Sequence, residues 1–198
     1  MEASANVNVS VFSSLIQRQY ESLDRVVKAS ESALLKIEKI AVCVVEVLRE
    51  GGKILTAGNG GSAADALHMA EEFVGRYAKN RVSLPALALC ADGTALTCIA
   101  NDYGFEDVFA RQVEGLGRKG DALIIFSTSG NSKNLLLALQ VAKRKGLKTI
   151  AFLGKQGGMC AGHADLEWIV PSEMTARIQE MHTWALHCIL ECVDAVYE

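Results

Sequence analysis

The chain reads as an α/β fold, a parallel sheet with helices on both faces. Three observations predict it. From residue 53 onward, short apolar runs alternate with helix-length amphipathic segments. The run Ala122-Leu123-Ile124-Ile125-Phe126 is apolar at every position, as a strand buried on both faces requires. The 198 residues contain only two prolines, Pro85 and Pro171, and no linker, repeat or low-complexity tract, so one domain accommodates the whole length.

Residues 1–9 are small and polar and are expected to be disordered. Over an N-terminal arm, residues 11–50, apolar side chains from Phe12 to Leu48 recur mostly at steps of three and four. That spacing predicts one long or two shorter amphipathic helices, closed by Gly51-Gly52. Strands are expected at 53–57, 84–90, 122–127, 148–153 and 167–170, with helices between them at 62–77, 92–100, 106–117 and 131–145. The final segment, Thr175 to Tyr197, is helical by spacing and free of proline.

Composition narrows the function. Half of the residues are hydrophobic, which is rich for a free monomer, and the surplus predicts subunit interfaces built from the two helical ends. A net charge of −3 without a basic stripe argues against nucleic acid as a partner. No apolar run approaches the roughly 18 residues that span a bilayer. The start Met1-Glu2-Ala3-Ser4 lacks the basic and apolar regions of a signal peptide, so a cytoplasmic protein is expected. The six cysteines, Cys43, Cys90, Cys98, Cys160, Cys188 and Cys192, form no C-x-x-C pair and read mainly as small buried hydrophobes. Cys188 and Cys192, a helical turn apart beside His187, could offer thiolates to a metal, although soft-metal sites usually show tighter pairs.

Two strand-to-helix junctions carry the strongest chemical signal. One is Thr56-Ala57-Gly58-Asn59-Gly60-Gly61-Ser62, and the other is Ser127-Thr128-Ser129-Gly130-Asn131-Ser132. Free backbone N–H groups and the dipole at a helix N-terminus favour an anion, and hydroxyls add donors without bulk. In open α/β sheets ligands bind beyond the carboxyl ends of the strands, where both loops fall. The loops suit a small phosphorylated molecule. Neither has the lysine of G-x-x-x-x-G-K-[ST], and there is no G-x-S-x-G, which removes P-loop and serine-hydrolase readings. Gly58-x-Gly60-Gly61 resembles part of a dinucleotide fingerprint, but the next strand closes at Asp92, beyond the roughly 20-residue offset of a ribose-binding acid.

Downstream of the first loop, His68 and Glu72 share a helix face one turn apart. A phosphate at Ser62 would place the rest of a short substrate near them. Taken alone, they read first as a solvated i,i+4 pair on a surface helix. His187, set among Trp184, Leu186, Cys188, Ile189 and Leu190, reads as a satisfied core histidine or as a catalyst. Gln179 lies eight residues before it, about 12 Å along a helix and roughly 80° around it. Asn101-Asp102-Tyr103-Gly104 reads as a turn before a helix with Asp as a cap, and Gly157-Gly158 as a plain turn.

Taken together, Gly58-Asn-Gly-Gly-Ser62, His68-x-x-x-Glu72, Ser127-Thr-Ser-Gly-Asn-Ser132 and Arg177-Ile-Gln-Glu-x-His182 with His187 closely resemble the phosphoheptose isomerases of the sugar isomerase (SIS) domain superfamily, over nearly the whole chain from about Leu15. The resemblance implies a flavodoxin-like three-layer sandwich with a five-stranded parallel sheet. It also implies a homotetramer with N- and C-terminal helices in the interface and active sites between subunits. The implied reaction converts sedoheptulose 7-phosphate to D-glycero-D-manno-heptose 7-phosphate through an enediol, the first step toward the heptose of bacterial surface glycans. By motif, Ser62, Ser127, Thr128, Ser129 and Ser132 would cradle the phosphate. Asn59 and Asp102 would contact the sugar, Gln179 would orient it, and Gly60, Gly61, Glu72 and Asn101 complete the substrate-binding set. Glu72 matches the family's general base and His187 its general acid. Some members bind zinc through residues matching His68, Glu72, Gln179 and His187, which competes with the acid–base roles, since a carboxylate held by zinc is a poorer base. Ala63 departs from members with histidine there, while others share the alanine. Two rivals stand beside this reading: a non-catalytic SIS adaptor that binds a replication initiator, and an isomerase of another sugar phosphate. Retention of His68, Glu72 and His187 speaks against the adaptor.

Overall fold

The computed structural model describes residues 9–198, so the expectation for residues 1–9 falls, but for Val9, outside the described residues. The N-terminal arm is two helices, α1 (Val9–Ala29) and α2 (Leu34–Arg49), separated by the 3-10 turn Glu31–Ala33. Buried residues Ile37, Ile40, Ala41, Val44, Val45 and Leu48 line one face of α2 at helical spacing, and Gly51 turns the chain with φ +82°.

Strands and helices then alternate: β1 (Ile54–Gly58), α3 (Gly61–Val74), β2 (Ala86–Ala88), α4 (Gly93–Tyr103), α5 (Ala110–Leu116), β3 (Ala122–Ser127), α6 (Lys133–Arg144), β4 (Lys148–Gly154), β5 (Leu166–Val170) and α7 (Thr175–Tyr197). Three segments differ from expectation. The strand foreseen over 84–90 is only three residues long, because Pro85 has no N–H to give and β2 lies at the sheet edge. The helix foreseen over 106–117 is a 3-10 turn, Phe105–Asp107, followed by α5. Asn101-Asp102-Tyr103 is the last turn of α4, a correction to the turn read there. The cap is instead Asp92, whose carboxylate accepts from the N–H groups of Thr94 and Ala95, and the helix ends where Gly104 takes φ +100°.

All five strands are parallel, in the order β2-β1-β3-β4-β5. From β1 the chain builds outward to β2, then crosses back to β3 on the other side. β1 and β3 are therefore neighbours at the switch point, with Gly58 in register with Phe126. The two hydroxyl-rich loops leave the sheet side by side there.

The pleat explains why β3 is apolar throughout. Ile124 and Phe126 point with Ile54, Ile150, Phe152 and Trp168 toward α2, α3 and α7, whereas Leu123 and Ile125 point with Leu55, Ala151 and Leu153 toward α5 and α6. Each fully buried Leu, Ile or Phe contributes about 1.5–3 kcal/mol over exposure. Phe126 and Phe152 stack with ring centroids 5.1 Å apart. His182 of α7 sits beside both, fully buried, and its Nε2–H donates to the Leu153 carbonyl at 3.0 Å. Burial pushes it down from 6.5 to about 4, so it is a neutral core side chain at pH 7. Trp168 of β5 meets Trp184 of α7 edge-on, with centroids 6.1 Å apart. No helix among the described residues is long and apolar enough to cross a membrane.

Candidate active site

Glycine is required where β1 turns into α3. A Cβ on Gly58 would come within 2.2 Å of the Ser62 carbonyl oxygen, and Gly60 holds φ +57°. This tight turn places Ser62, 5% exposed, in the first turn of α3 beside the second loop. In that second loop the Ser127 hydroxyl accepts the Gly130 N–H at 3.0 Å and the Ser129 hydroxyl accepts the Asn131 N–H at 3.1 Å. Both oxygens act as acceptors within the loop, which leaves their O–H protons to donate outward. Ser132 occupies the N-cap of α6 yet makes no side-chain cap bond, so its hydroxyl is also unspent. Asn59, Ser62, Phe126, Ser127, Thr128, Ser129 and Ser132 line a cleft of about 190 Å³. Larger hollows along α5, about 400 and 520 Å³, lack such a hydroxyl set.

Asn59 has a second role. Its amide and that of Asn134, 3% exposed on α6, exchange two 3.0 Å hydrogen bonds across the cleft floor. Gly157-Gly158 is more than the plain turn expected. A Cβ on Gly130 would lie 1.9 Å from the Gly157 carbonyl oxygen, and one on Gly158 would strike Gly130 and Ser129. Met159 N–H donates to the Asn131 side chain and Cys160 N–H to the Gly130 carbonyl, each at 3.0 Å. The β4–β5 connection thus braces the second loop from behind.

The other half of the site lies where α3 meets α7. His68 Nε2 is 3.3 Å from Glu72 Oε1, with side chains 34% and 17% exposed, so the pair is half-sheltered rather than fully solvated. The His187 ring meets His68 edge-on at 5.1 Å, and Tyr77 stacks on it at 5.5 Å. His187 is therefore not a core histidine. Burial, then the nearby His68, presses its pKa below 6.5, while Glu72 opposes them. Gln179 lies directly over the first loop, its amide filling the space where a Gly61 side chain would be. One turn on, Thr183 donates its hydroxyl to Asp65 at 2.8 Å, and buried Asp65 has its pKa raised by desolvation, with Thr183 and His68 opposing. Asn101 and Asp102 stay apart, exposed on α4 and bonded to each other at 2.7 Å.

Could this region hold a metal? Ligand atoms of His68, Glu71 and Glu72 lie within 4.8 Å of one another. Imidazole and carboxylates with the His187 ring alongside suit a divalent cation. The six cysteines are free and dispersed, from buried Cys160 to exposed Cys98 and Cys192.

A family profile described as the SIS domain matches residues 18–154. The phosphoheptose isomerase of Helicobacter pylori (strain P12) is 49% identical over 181 residues, 91% of this chain and 94% of that protein. The chain belongs to the phosphoheptose isomerase family of SIS domains. Solved family members superpose closely. A phosphoheptose isomerase from Francisella tularensis gives a TM-score of 0.89 at 34% identity, covering 92% of this chain and 97% of that one. One from Neisseria gonorrhoeae gives 0.86 at 39% identity, covering 93% and 99%. The five-stranded, all-parallel three-layer fold is that of the family.

Proposed function

We propose that the chain is an aldose–ketose isomerase that interconverts sedoheptulose 7-phosphate and D-glycero-D-manno-heptose 7-phosphate, the first step toward the heptose of a bacterial surface glycan. The observation that carries this is the meeting of His68, Glu72 and His187 between α3 and α7, on the helix that opens at the hydroxyl-rich cleft. The N-termini of α3 and α6 with Ser62, Ser127, Thr128, Ser129 and Ser132 bind the phosphate, and this remote binding energy orients the reacting carbons. Asn59, Gly60, Gly61 and Gln179 complete the binding set on this chain, and Asn101 and Asp102, exposed on α4 away from this cleft, would reach substrate in a site shared between subunits.

Glu72 removes a proton from C1 of the ketose as the C2 carbonyl oxygen gains one from His187, which gives the enediol. Glu72 then returns its proton to C2 while the O1 hydroxyl proton leaves toward His187, which leaves the C1 aldehyde. Burial and the nearby His68 hold the His187 pKa below its ordinary value, so the protonated ring gives up its proton readily and the neutral ring takes the next one back. His68, Glu72, Gln179 and His187 would hold a zinc ion, one per subunit. When bound, zinc would polarise the substrate oxygens. The exposed apolar residues Phe12, Ile16 and Tyr20 on α1 support a homotetramer built through the helical ends. An adaptor role would leave the paired His68 and Glu72 without work.

The test is turnover of sedoheptulose 7-phosphate by the purified protein, with and without a chelator and added zinc. Loss to the chelator and recovery with zinc supports the four-ligand site. Indifference to the chelator leaves Glu72 and His187 working alone. No turnover in either condition refutes the proposal.

A further inference from the structure

Outside the reacting groups, the most heavily bonded buried charge near the site is Arg81. Its side chain is fully buried, and that of its partner Asp194 is 2% exposed. The guanidinium spends four hydrogen bonds on three segments. Nε donates to Asp194 Oδ1 at 2.7 Å, Nη2 to the Glu72 carbonyl at 2.7 Å, and Nη1 to the carbonyls of Phe73 and Val82 at 2.9 Å each. Two of these acceptors, Glu72 and Phe73, are carbonyls of the last turn of α3, which the helix itself cannot satisfy. The neighbouring ends are met by Gly75 N–H on Glu71 and by the Ser83 hydroxyl on Val74. Arg81 therefore caps the turn that carries Glu72, and a cation at a helix C-terminus is favoured by the dipole.

Asp194 does the matching work on α7. Its second oxygen accepts the N–H groups of Ala78 and Lys79 at 2.9 and 3.0 Å, and so holds the segment just after Tyr77. It lies seven residues beyond His187, two helical turns along nearly the same face. Tyr77, fixed from both sides, stacks on the His187 ring.

A buried ion pair is a weak source of net stability, because desolvating both charges offsets their attraction. What a fork of fixed donors does supply is direction. With Glu72 and His187 as the proton-transferring pair proposed above, we infer that the buried Arg81–Asp194 pair is a positioning device. It sets the Glu72 turn of α3, and the Tyr77 ring, against His187 on α7. Neither residue touches substrate; each acts through the backbone it holds.

The experiment measures kcat and KM for sedoheptulose 7-phosphate, together with amide hydrogen exchange, in Arg81→Lys and Asp194→Asn, well below each variant's Tm. Lysine keeps the charge but cannot reach three segments at once. The expected result is a fall in kcat of about tenfold or more with KM within about threefold, and faster exchange confined to residues 72–79. A kcat within about twofold of the unaltered protein in folded variants, or a change confined to KM, overturns the inference. If both charge variants fail to fold, Tyr77→Leu carries the test, because it leaves the ion pair in place. A kcat loss of about fivefold at unchanged KM upholds the positioning role, and an unchanged kcat overturns it. An unaltered protein that does not turn over the substrate refutes the reaction instead. Exchange at 72–79 then decides alone: selective loss of protection in Arg81→Lys upholds the device, and unchanged protection sinks it.

Discussion

Asn59 and Asn134 are bound to each other by both halves of their side-chain amides, 3.0 Å in each direction. The pair ties the first loop to the first turn of α6, and thereby sets the distance between two helix N-termini that face the same cleft. Asn134→Ala would leave the Asn59 amide without its partner. The expected cost is about 1–3 kcal/mol in chemical denaturation, with a KM that rises more than kcat falls. Equal loss in both kinetic constants would mean that Asn59 acts on the reacting end of the sugar instead.

Ser132 allows the proposed phosphate cradle to be tested apart from folding. Its hydroxyl makes no cap bond, so Ser132→Ala should change stability by less than about 0.5 kcal/mol. A lost hydrogen bond to a charged phosphate should still raise KM by about 10- to 100-fold. A variant that melts early but binds normally would show that the hydroxyl is a helix cap after all.

Gly130 and Gly162 make a controlled pair. Both hold positive φ, +66° and +76°, but a Cβ on Gly130 meets the Gly157 backbone at 1.9 Å whereas one on Gly162 meets open space. Gly162→Ala should cost only the conformational strain, about 1–3 kcal/mol. Gly130→Ala should cost clearly more and abolish phosphate binding, since loop and brace must part. Comparable Tm values for the two would show that the brace yields.

His182 gives a pH signature. The unfolded chain binds a proton here below pH 6.5, and the folded chain only below about 4. Its contribution is fully present above pH 6.5 and declines as pH falls toward 4, by about 3 kcal/mol in all. Denaturant titrations of His182→Phe should show a flatter loss of stability over that window than the unaltered protein. Parallel curves would place the acid sensitivity elsewhere.

Much of this was legible in the residues because local chemistry and tertiary placement agree. The unbroken apolar run of β3 required two covered faces, and it has them. Ser62 and the second-loop hydroxyls line one cleft because strand order places β1 beside β3, and the Gly/Ser pattern marks both loops without revealing that order. What escaped was long-range. Asp65 and Thr183 are 118 residues apart, and Arg81 and Asp194 are 113 apart, with no local pattern in either pair. Asp65 alone left a trace, standing three and seven residues before His68 and Glu72 on one helical face. Gly157-Gly158 reads as a plain turn in the sequence, because a pair of glycines says nothing about what passes close behind it.

The contact between Trp168 and Trp184 has a practical corollary. They are the chain's two tryptophans, one on the edge strand β5 and one between Gln179 and His187 on the closing helix. Two indoles this near couple their excited states, so the protein carries its own optical gauge of whether that helix is seated. Its emission and near-ultraviolet dichroism follow the seating of the helix that carries Gln179 and His187 with no label attached.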